Sequence, residues 1–382
     1  MKRKNFARRP GCAVEATLDL IDGKWKGVIL YHLQGGSQRF GELRRLMPGI
    51  TQRMLTKQLR ALFDFETAKP EPTGRDIRVA VKAVSVNPVD TKVRKRAAPP
   101  AGETKILGYD AAGVVEAVGP EVTLFKAGDE VFYAGSILRQ GTNAEFHLVD
   151  ERIVGRKPKT LSFAEAAALP LTSITAWELL FDRLGAVPGK SLDDRTLLIT
   201  GAAGGVGSIL IQLARRLTGL TVLATATRPE SRDWCLSLGA HAVVDHGKPI
   251  KEQIEALKLP PVGLVASLTH SDQHYKAIVE VMAPQSKFGL IDDPAEFSIA
   301  AFKGKAISIH WESMFTRSMF TTPDIIAQHN LLNDVADLID KGVVRTTLGD
   351  HYGSINAANL KRAHALIESN TSRGKIVLEG WG

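Results

Sequence analysis

The chain has 382 residues, 44% hydrophobic and 24% charged, with 34 glycines and 18 prolines; at this length that is the composition of two or three soluble globular domains. No apolar run reaches the ~18 residues of a membrane span, and the basic opening MKRKNFARRPG leads into no apolar core, so neither a membrane anchor nor a signal peptide is expected. The net charge of +8 is uneven, with thirteen Lys and Arg against four Asp and Glu in residues 1–60 and near neutrality beyond. A nucleic-acid-facing module beside a neutral enzyme has this profile, and so has a solvated basic tail. Two cysteines, Cys12 and Cys235, exclude a disulfide scaffold and fit a reducing cytoplasm.

In chain order, CAVEATLDLIDGKWKGVILYHLQGG predicts two helices, with Val14, Leu18 and Ile21, then Trp25, Ile29 and Leu33, at helical spacing. SQRFGELRRLM predicts a third, with Ser37 as N-cap. PGI makes a tight turn, and TQRMLTKQLRAL forms a further helix opened by Thr51. Helix, three-residue turn, then helix with a polar side of Gln52, Arg53, Lys57 and Arg60 is a helix-turn-helix pattern. Thr51, Gln52, Arg53 and Lys57 are candidates to reach base edges, and Arg44 and Arg45 to clamp phosphates.

The stretch with Cys12, DLIDGKW, RFGELRRLMPGI and LTKQLRAL resembles the HxlR-type winged-helix regulators. The resemblance implies DNA as a partner and makes Cys12, beside Arg8 and Arg9, a candidate redox thiol; an inert helix-start cysteine is the alternative. That family continues into a β-hairpin wing and a dimerising helix. Neither follows residue 62 here.

From Phe63 the texture becomes short strands and turns. DIRVAVKAVSVNPVD alternates like a half-buried strand and ends at a proline turn, and GYDAAGVVEAVGPEV and FKAGDEVFYAG carry β-branched runs punctuated by glycine. In SLDDRTLLITGAAGGVGSILIQLARRL, residues 196–200 read as a buried parallel strand, 201–207 as a glycine-rich turn and 208–217 as an amphipathic helix. Such a turn lets backbone approach a pyrophosphate at a helix N-terminus. The next strand, LTVLATATRPES, has no acid at its tip to hold ribose hydroxyls and places Thr227 and Arg228 where a 2′-phosphate lies, which points to NADP rather than NAD.

The order of these segments, with LGYDAAGVVEAVG, AALPLTSITAWELLFDRLG, ITGAAGGVGSILIQLAR, LSLGAHAVVDH, KFGLIDDP and RGKIVLEGW, resembles the medium-chain dehydrogenase/reductase superfamily. Within it the match is to the zinc-type alcohol dehydrogenase-like branch, akin to NADPH:quinone oxidoreductases. The resemblance implies an α/β chain: a helix-turn-helix segment (1–62), a GroES-like substrate domain (63–176), a Rossmann NADP-binding domain with a doubly wound parallel sheet (177–297) and a return segment (298–382). Thr172, Gly201, Ala202, Gly204, Gly205, Val206, Gly207, Thr227, Arg228, Gly289, Leu290, Ile291 and Lys375 are the expected NADP(H) contacts. Asn87, Asp90, Lys92 and Tyr109 are the catalytic candidates, Lys92 or Tyr109 donating a proton or polarising a carbonyl; turn-forming and packing roles are the alternatives.

A thiolate zinc site is not expected, since Cys235 is the only cysteine past Cys12; His270 and His274, in LTHSDQH, read as part of a loop. HWESMFTRSMF reads as a subunit contact or substrate wall in a homodimer. Three readings stand: a metal-independent NADPH oxidoreductase of quinones, enones or other small electrophiles; a redox- or NADP(H)-responsive transcriptional regulator; and a non-functional fusion.

Overall fold

The computed structural model describes residues 28, 29, 32, 40–50, 64–96, 104–189 and 193–381. The chain divides into two compact units, Met1–Phe63 with Lys92–Lys105, and Asp64–Thr91 with Ile106–Gly382. In the first, residues 28, 29 and 32 are helical, and helix α1 (Phe40–Leu46) carries Glu42 in its first turn and Arg44 and Arg45, both exposed, in its last. That polarity suits the helix dipole. The turn expected at PGI is present, closed by the Ile50 N–H to the Met47 carbonyl (3.2 Å). Cys12, Thr51, Gln52, Arg53 and Lys57 lie outside the described residues.

The second unit holds two sheets. The first is mostly antiparallel, in the order β12–β13–β1–β2–β3–β5 with β4 also on β1. Its strands are β1 (Asp76–Val86), β2 (Ala111–Val118), β3 (Glu130–Tyr133), β4 (Phe146–Asp150), β5 (Val154–Arg156), β12 (Leu348–His351) and β13 (Lys375–Glu379). β1 alternates between buried and half-buried residues up to Val81 and is then buried continuously from Ala83 to Val86, as a strand covered on both faces is. Helix α2 (Pro88–Arg96) begins at the proline expected to turn the chain. Among the described residues β4 pairs with β1 alone, leaving an edge, where Lys69 lies over the Phe146 ring at 3.9 Å.

The second sheet is wholly parallel, in the order β11–β10–β9–β6–β7–β8. It comprises β6 (Thr196–Thr200), β7 (Thr221–Thr225), β8 (Ala242–Val244), β9 (Val262–Ser267), β10 (Met282–Leu290) and β11 (Ser308–Trp311). The chain steps outward from β6 to β8, then returns to the other side of β6 at β9. This is the doubly wound arrangement with a switch point between β6 and β9. Leu198, Leu223, Val265, Phe288 and Phe302 are core residues of this layer.

The parallel sheet extends past residue 297 to Trp311, because a 3₁₀ segment (Ile299–Lys305) carries the chain over to lay β11 beside β10. Lys305 fastens that crossover by donating to the Val279, Glu280 and Met282 carbonyls. Among the described residues no helix is long and apolar enough to cross a membrane.

Candidate active site and cofactor cradle

The glycine turn ends a fully buried strand, β6. Helix α5 (Gly205–Leu217) starts three residues before the expected Ser208, with Gly204 as an N-cap that supplies no side-chain bond. Its first-turn N–H groups are therefore left for an anion. Gly201 adopts φ +62. A Cβ on Gly207 would lie 2.4 Å from the Ala202 carbonyl oxygen, so only glycine lets the helix start pack on the turn. Gly205 has a different reason. Its missing Cβ would lie 2.8 Å from Lys375 Cδ and 3.0 Å from Thr172 Cγ2, two side chains that pass beneath the turn. Of the other cradle residues, Ala202 is buried and Val206 half-buried.

Past β7, Thr227 and Arg228 are exposed, and Arg228 donates to the Thr371 carbonyl (2.8 Å). Beside this tip a cavity of about 100 Å³ is lined by Thr200, Thr225, His246, Lys248, Ile250 and His274. Thr225 Oγ1 is buried without a partner among the described residues. The His246 and His274 rings meet at 5.5 Å, and burial holds both below the usual histidine pKa. His246 and Lys248 had no motif to mark them. His274 was expected in a loop, but helix α8 (Ser271–Val281) begins earlier. The Asp292 carboxylate starts it, accepting from Ser271 N–H (2.8 Å) and Oγ (2.6 Å).

Lys375 enters a buried cluster. Its Nζ donates to the Val86 carbonyl (3.0 Å), to Asp110 Oδ2 (3.0 Å) and to Asn87 Oδ1. Asp110 Oδ2 also accepts from Ser85 Oγ (2.9 Å) and Asn87 Nδ2 (2.7 Å), while Oδ1 accepts the Leu171 N–H (2.7 Å) in the first turn of α4 (Pro170–Trp177). Thr172 sits in that same turn. Asp90 Oδ2 accepts the Asn87 N–H (2.6 Å). The Tyr109 ring is wholly buried, edge-on to Phe315 at 5.5 Å. Burial raises its phenol far above the ordinary range.

Asn87, Asp90, Tyr109 and Lys375 thus converge, and Lys375 and Thr172 join them to the glycine turn. Lys92 lies on α2, partly exposed, in the stretch grouped with the other unit. Gly289 is buried against Leu179, 2.5 Å from where its Cβ would stand, so its smallness serves packing at this point; Leu290 is buried and Ile291 half-buried. Asp110, next to Tyr109 in GYD, carries no local pattern that marks it; its partners come from β1, α4 and β13.

Three family models match: an HxlR-like helix-turn-helix over residues 20–69, an alcohol dehydrogenase GroES-like domain over 73–175 and a zinc-binding dehydrogenase over 238–378. A zinc-type alcohol dehydrogenase-like protein of Staphylococcus aureus is 41% identical over 320 residues, 82% of this chain and 93% of its own length. A solved structure from Rhizobium etli, described as a zinc-dependent alcohol dehydrogenase protein, superposes with TM-score 0.80 at 62% identity, over 84% of this chain and 93% of that one. Escherichia coli quinone oxidoreductase complexed with NADPH superposes with TM-score 0.70 at 25% identity, over 83% and 94% of the two chains.

Several of those descriptions name zinc, which takes three or four protein ligands gathered at one point. Among the described residues no three His, Cys, Asp or Glu side chains gather as ligands, and Cys235 is buried on helix α6 (Pro229–Ser237), its thiol pushed up to about 12 by burial. Among the described residues that donor set is not the three- or four-ligand cage a zinc site takes. A dinucleotide fits better: uncapped N–H groups, a glycine turn at a helix start and an unpartnered threonine hydroxyl meet at the carboxyl ends of β6 and β7.

Proposed function

The chain belongs to the medium-chain dehydrogenase/reductase oxidoreductases, in their zinc-type alcohol dehydrogenase-like branch, and from that premise we propose that it reduces small electrophilic carbonyl compounds, quinones or enones, with NADPH. The observation that carries this reading is Lys375: one side chain runs under the glycine turn and ends among Asn87, Val86 and Asp110. A dinucleotide on the turn and a substrate at the cluster are thereby held to one frame.

NADPH when bound supplies the hydride. The N–H groups of Gly205, Val206 and Gly207 would take the pyrophosphate. Thr227 and Arg228 would take the 2′-phosphate. Gly201, Ala202, Gly204, Thr172, Leu290 and Ile291 complete the cradle. Asn87, Asp90 and Tyr109 line the acceptor side and orient its carbonyl. Fluorescence titration with NADPH and NADH, followed by turnover of a quinone and an enone, tests the reading. At least ten-fold tighter binding of NADPH is expected, with turnover surviving a chelator. Equal affinities, or turnover lost with the chelated metal, would sink it.

A second reading rests on the helix-turn-helix match at 20–69. Exposed Arg44 and Arg45 on α1 suit phosphate contacts, so the first unit is a candidate DNA reader alongside the enzyme. A homodimer is supported by the exposed edge strand β11, where Trp311 is 56% exposed.

A further inference from the structure

The cluster beneath the glycine turn contains more acid than base. Asp90 and Asp110 are 1% and 0% exposed. The cation facing both is Lys375, and its three donors go to Val86, Asn87 and Asp110. Both oxygens of Asp110 are taken, by Ser85, Asn87, Leu171 and Lys375. Asp90 is less well served. Its Oδ2 has the Asn87 N–H, while its Oδ1 is buried without a hydrogen-bond partner among the described residues, as is the hydroxyl of neighbouring Tyr109.

Two buried carboxyls facing one ammonium cannot both ionise cheaply. The proton stays where fewest donors would stabilise a charge, and that is Asp90. Resting on the NADPH reading above, we propose that Asp90 is the general acid of this site, protonated at rest and giving its proton to the acceptor's carbonyl oxygen as hydride arrives. A new C–H bond forms at the electron-poor carbon with the electron pair of the hydride, and the displaced π electrons move onto the carbonyl oxygen. The Asp90 O–H bond then breaks, and its proton forms the O–H of the enol; for a quinone, loss of the ring C–H proton and protonation of the second oxygen by solvent then give the hydroquinone. The nicotinamide is oxidised, the acceptor is reduced by two electrons, and Asp90 is left as a carboxylate near Lys375 until water restores its proton.

Burial, abetted by the charge of Asp110, pushes Asp90 up to about 7 against the opposing pull of the Asn87 and Gly108 N–H groups and Lys375. Burial raises Asp110 as well, against the Lys375 charge and the hydrogen bonds from Asn87 and Leu171, so the choice between the two carboxyls rests on the donors each already has. A general acid works best with its pKa near the working pH.

The test uses the full chain with carbon-13 in its aspartate carboxyls. One aspartate resonance is expected to titrate near neutrality and to vanish in Asp90→Asn. If every aspartate of the wild type titrates in the ordinary acidic range, Asp90 is ionised at rest and the proposal is wrong, whether or not the variant folds. In single turnover with NADPH and an enone, the wild-type rate should fall as pH rises through about 7. Asp90→Asn should lose that arm and ~100-fold or more in kcat, with acceptor KM little changed. Turnover of the variant at the wild-type rate and pH profile overturns Asp90 alone. A wild type that binds no NADPH and reduces no acceptor overturns the functional reading and the acid together.

Discussion

Lys375 is where a single side chain decides most. Its stem occupies the space a Cβ on Gly205 would need, and its head supplies the charge opposite Asp110, which is wholly buried. Two consequences can be measured. Gly205→Ala forces Lys375 Cδ or Thr172 Cγ2 aside, and overpacking of that kind costs ~1–3 kcal/mol. The variant should lose that stability in urea and at least ten-fold in NADPH affinity, while Gly304→Ala, where the added methyl meets nothing within 4 Å, should lose neither. Lys375→Met strands Asp110 without its cation, and breaking a buried pair from one side costs ~3–5 kcal/mol. Asp110→Asn in the same chain should restore part of that loss, because the uncompensated charge is gone. An additive double variant would mean that the two side chains do not act as a pair. The sequence shows Asn87 and Asp90 plainly, since NPVD is a local pattern; it hides their partner, because Lys375 lies 288 residues from Asn87 and nothing in GKIVL says which carboxylate its lysine will meet.

At the scale of elements, the segment after α4 departs from regular winding. Glu178–Arg183 forms a π-helix, closed by the Leu184 N–H to the Leu179 carbonyl (2.9 Å), and such turns recur at functional sites. It buries Glu178 near Glu312, which follows β11; Arg317 pairs with Glu178 (2.6 Å) and Arg183 with Glu312 (2.8 Å). Asp182 and Asp324 also face Arg317. Burial raises both glutamates above the ordinary carboxylate range, and the charge of Glu178 raises Glu312 further. The folded protein therefore keeps a proton that the unfolded chain releases above about pH 4. Stability contributed this way is whole below that pH and declines as pH rises, by up to ~1.4 kcal/mol per unit, until the pair ionises in the fold. Glu312→Gln has no such proton to lose, so its urea midpoint should decline less between pH 5 and neutrality than the wild type's. Parallel slopes would show that the pair ionises like free glutamates. Elements of this kind divide by how local their cause is. β6, the glycine turn and α5 are legible because a buried β-branched run, glycines and an amphipathic face lie in succession. The early start of α8 is not, because its cap, Asp292, arrives from the end of β10; nor is β11, whose place in the sheet depends on a crossover rather than on its own pattern.

For the molecule as a whole, charge and edges carry the argument. The two-part design is legible from the basic first sixth of the chain, whereas the open side of β4 emerges only from strand pairing. The join itself belongs to the enzyme: Asp64 Oδ1 accepts the Ala357 N–H (2.9 Å), Lys69 pairs with Glu116 (2.5 Å) and Arg78 holds Glu71 (2.9 Å). At the far edge of the parallel sheet, Trp311→Lys puts a charge of the sort that natural edge strands use to stay single. It is expected to convert a dimer to monomer in light scattering with NADPH affinity unchanged; a dimer that persists would place the contact elsewhere. The basic excess makes the last prediction. Residues 64–382 contain every side chain of the proposed active site and are expected to retain NADPH binding, while only the full chain should hold duplex DNA. Most of that affinity should be phosphate-driven, falling steeply between 50 and 200 mM salt because releasing condensed counterions into a saltier bulk gains less entropy. Sequence discrimination should need two chains, since one recognition helix covers a half-site, so Trp311→Lys should weaken specific binding if the dimer formed along β11 is the one that spaces the two readers. If the full chain binds DNA no better than residues 64–382, the positive charge of the first sixty residues is a solvated surface and the helix-turn-helix has no duplex to read.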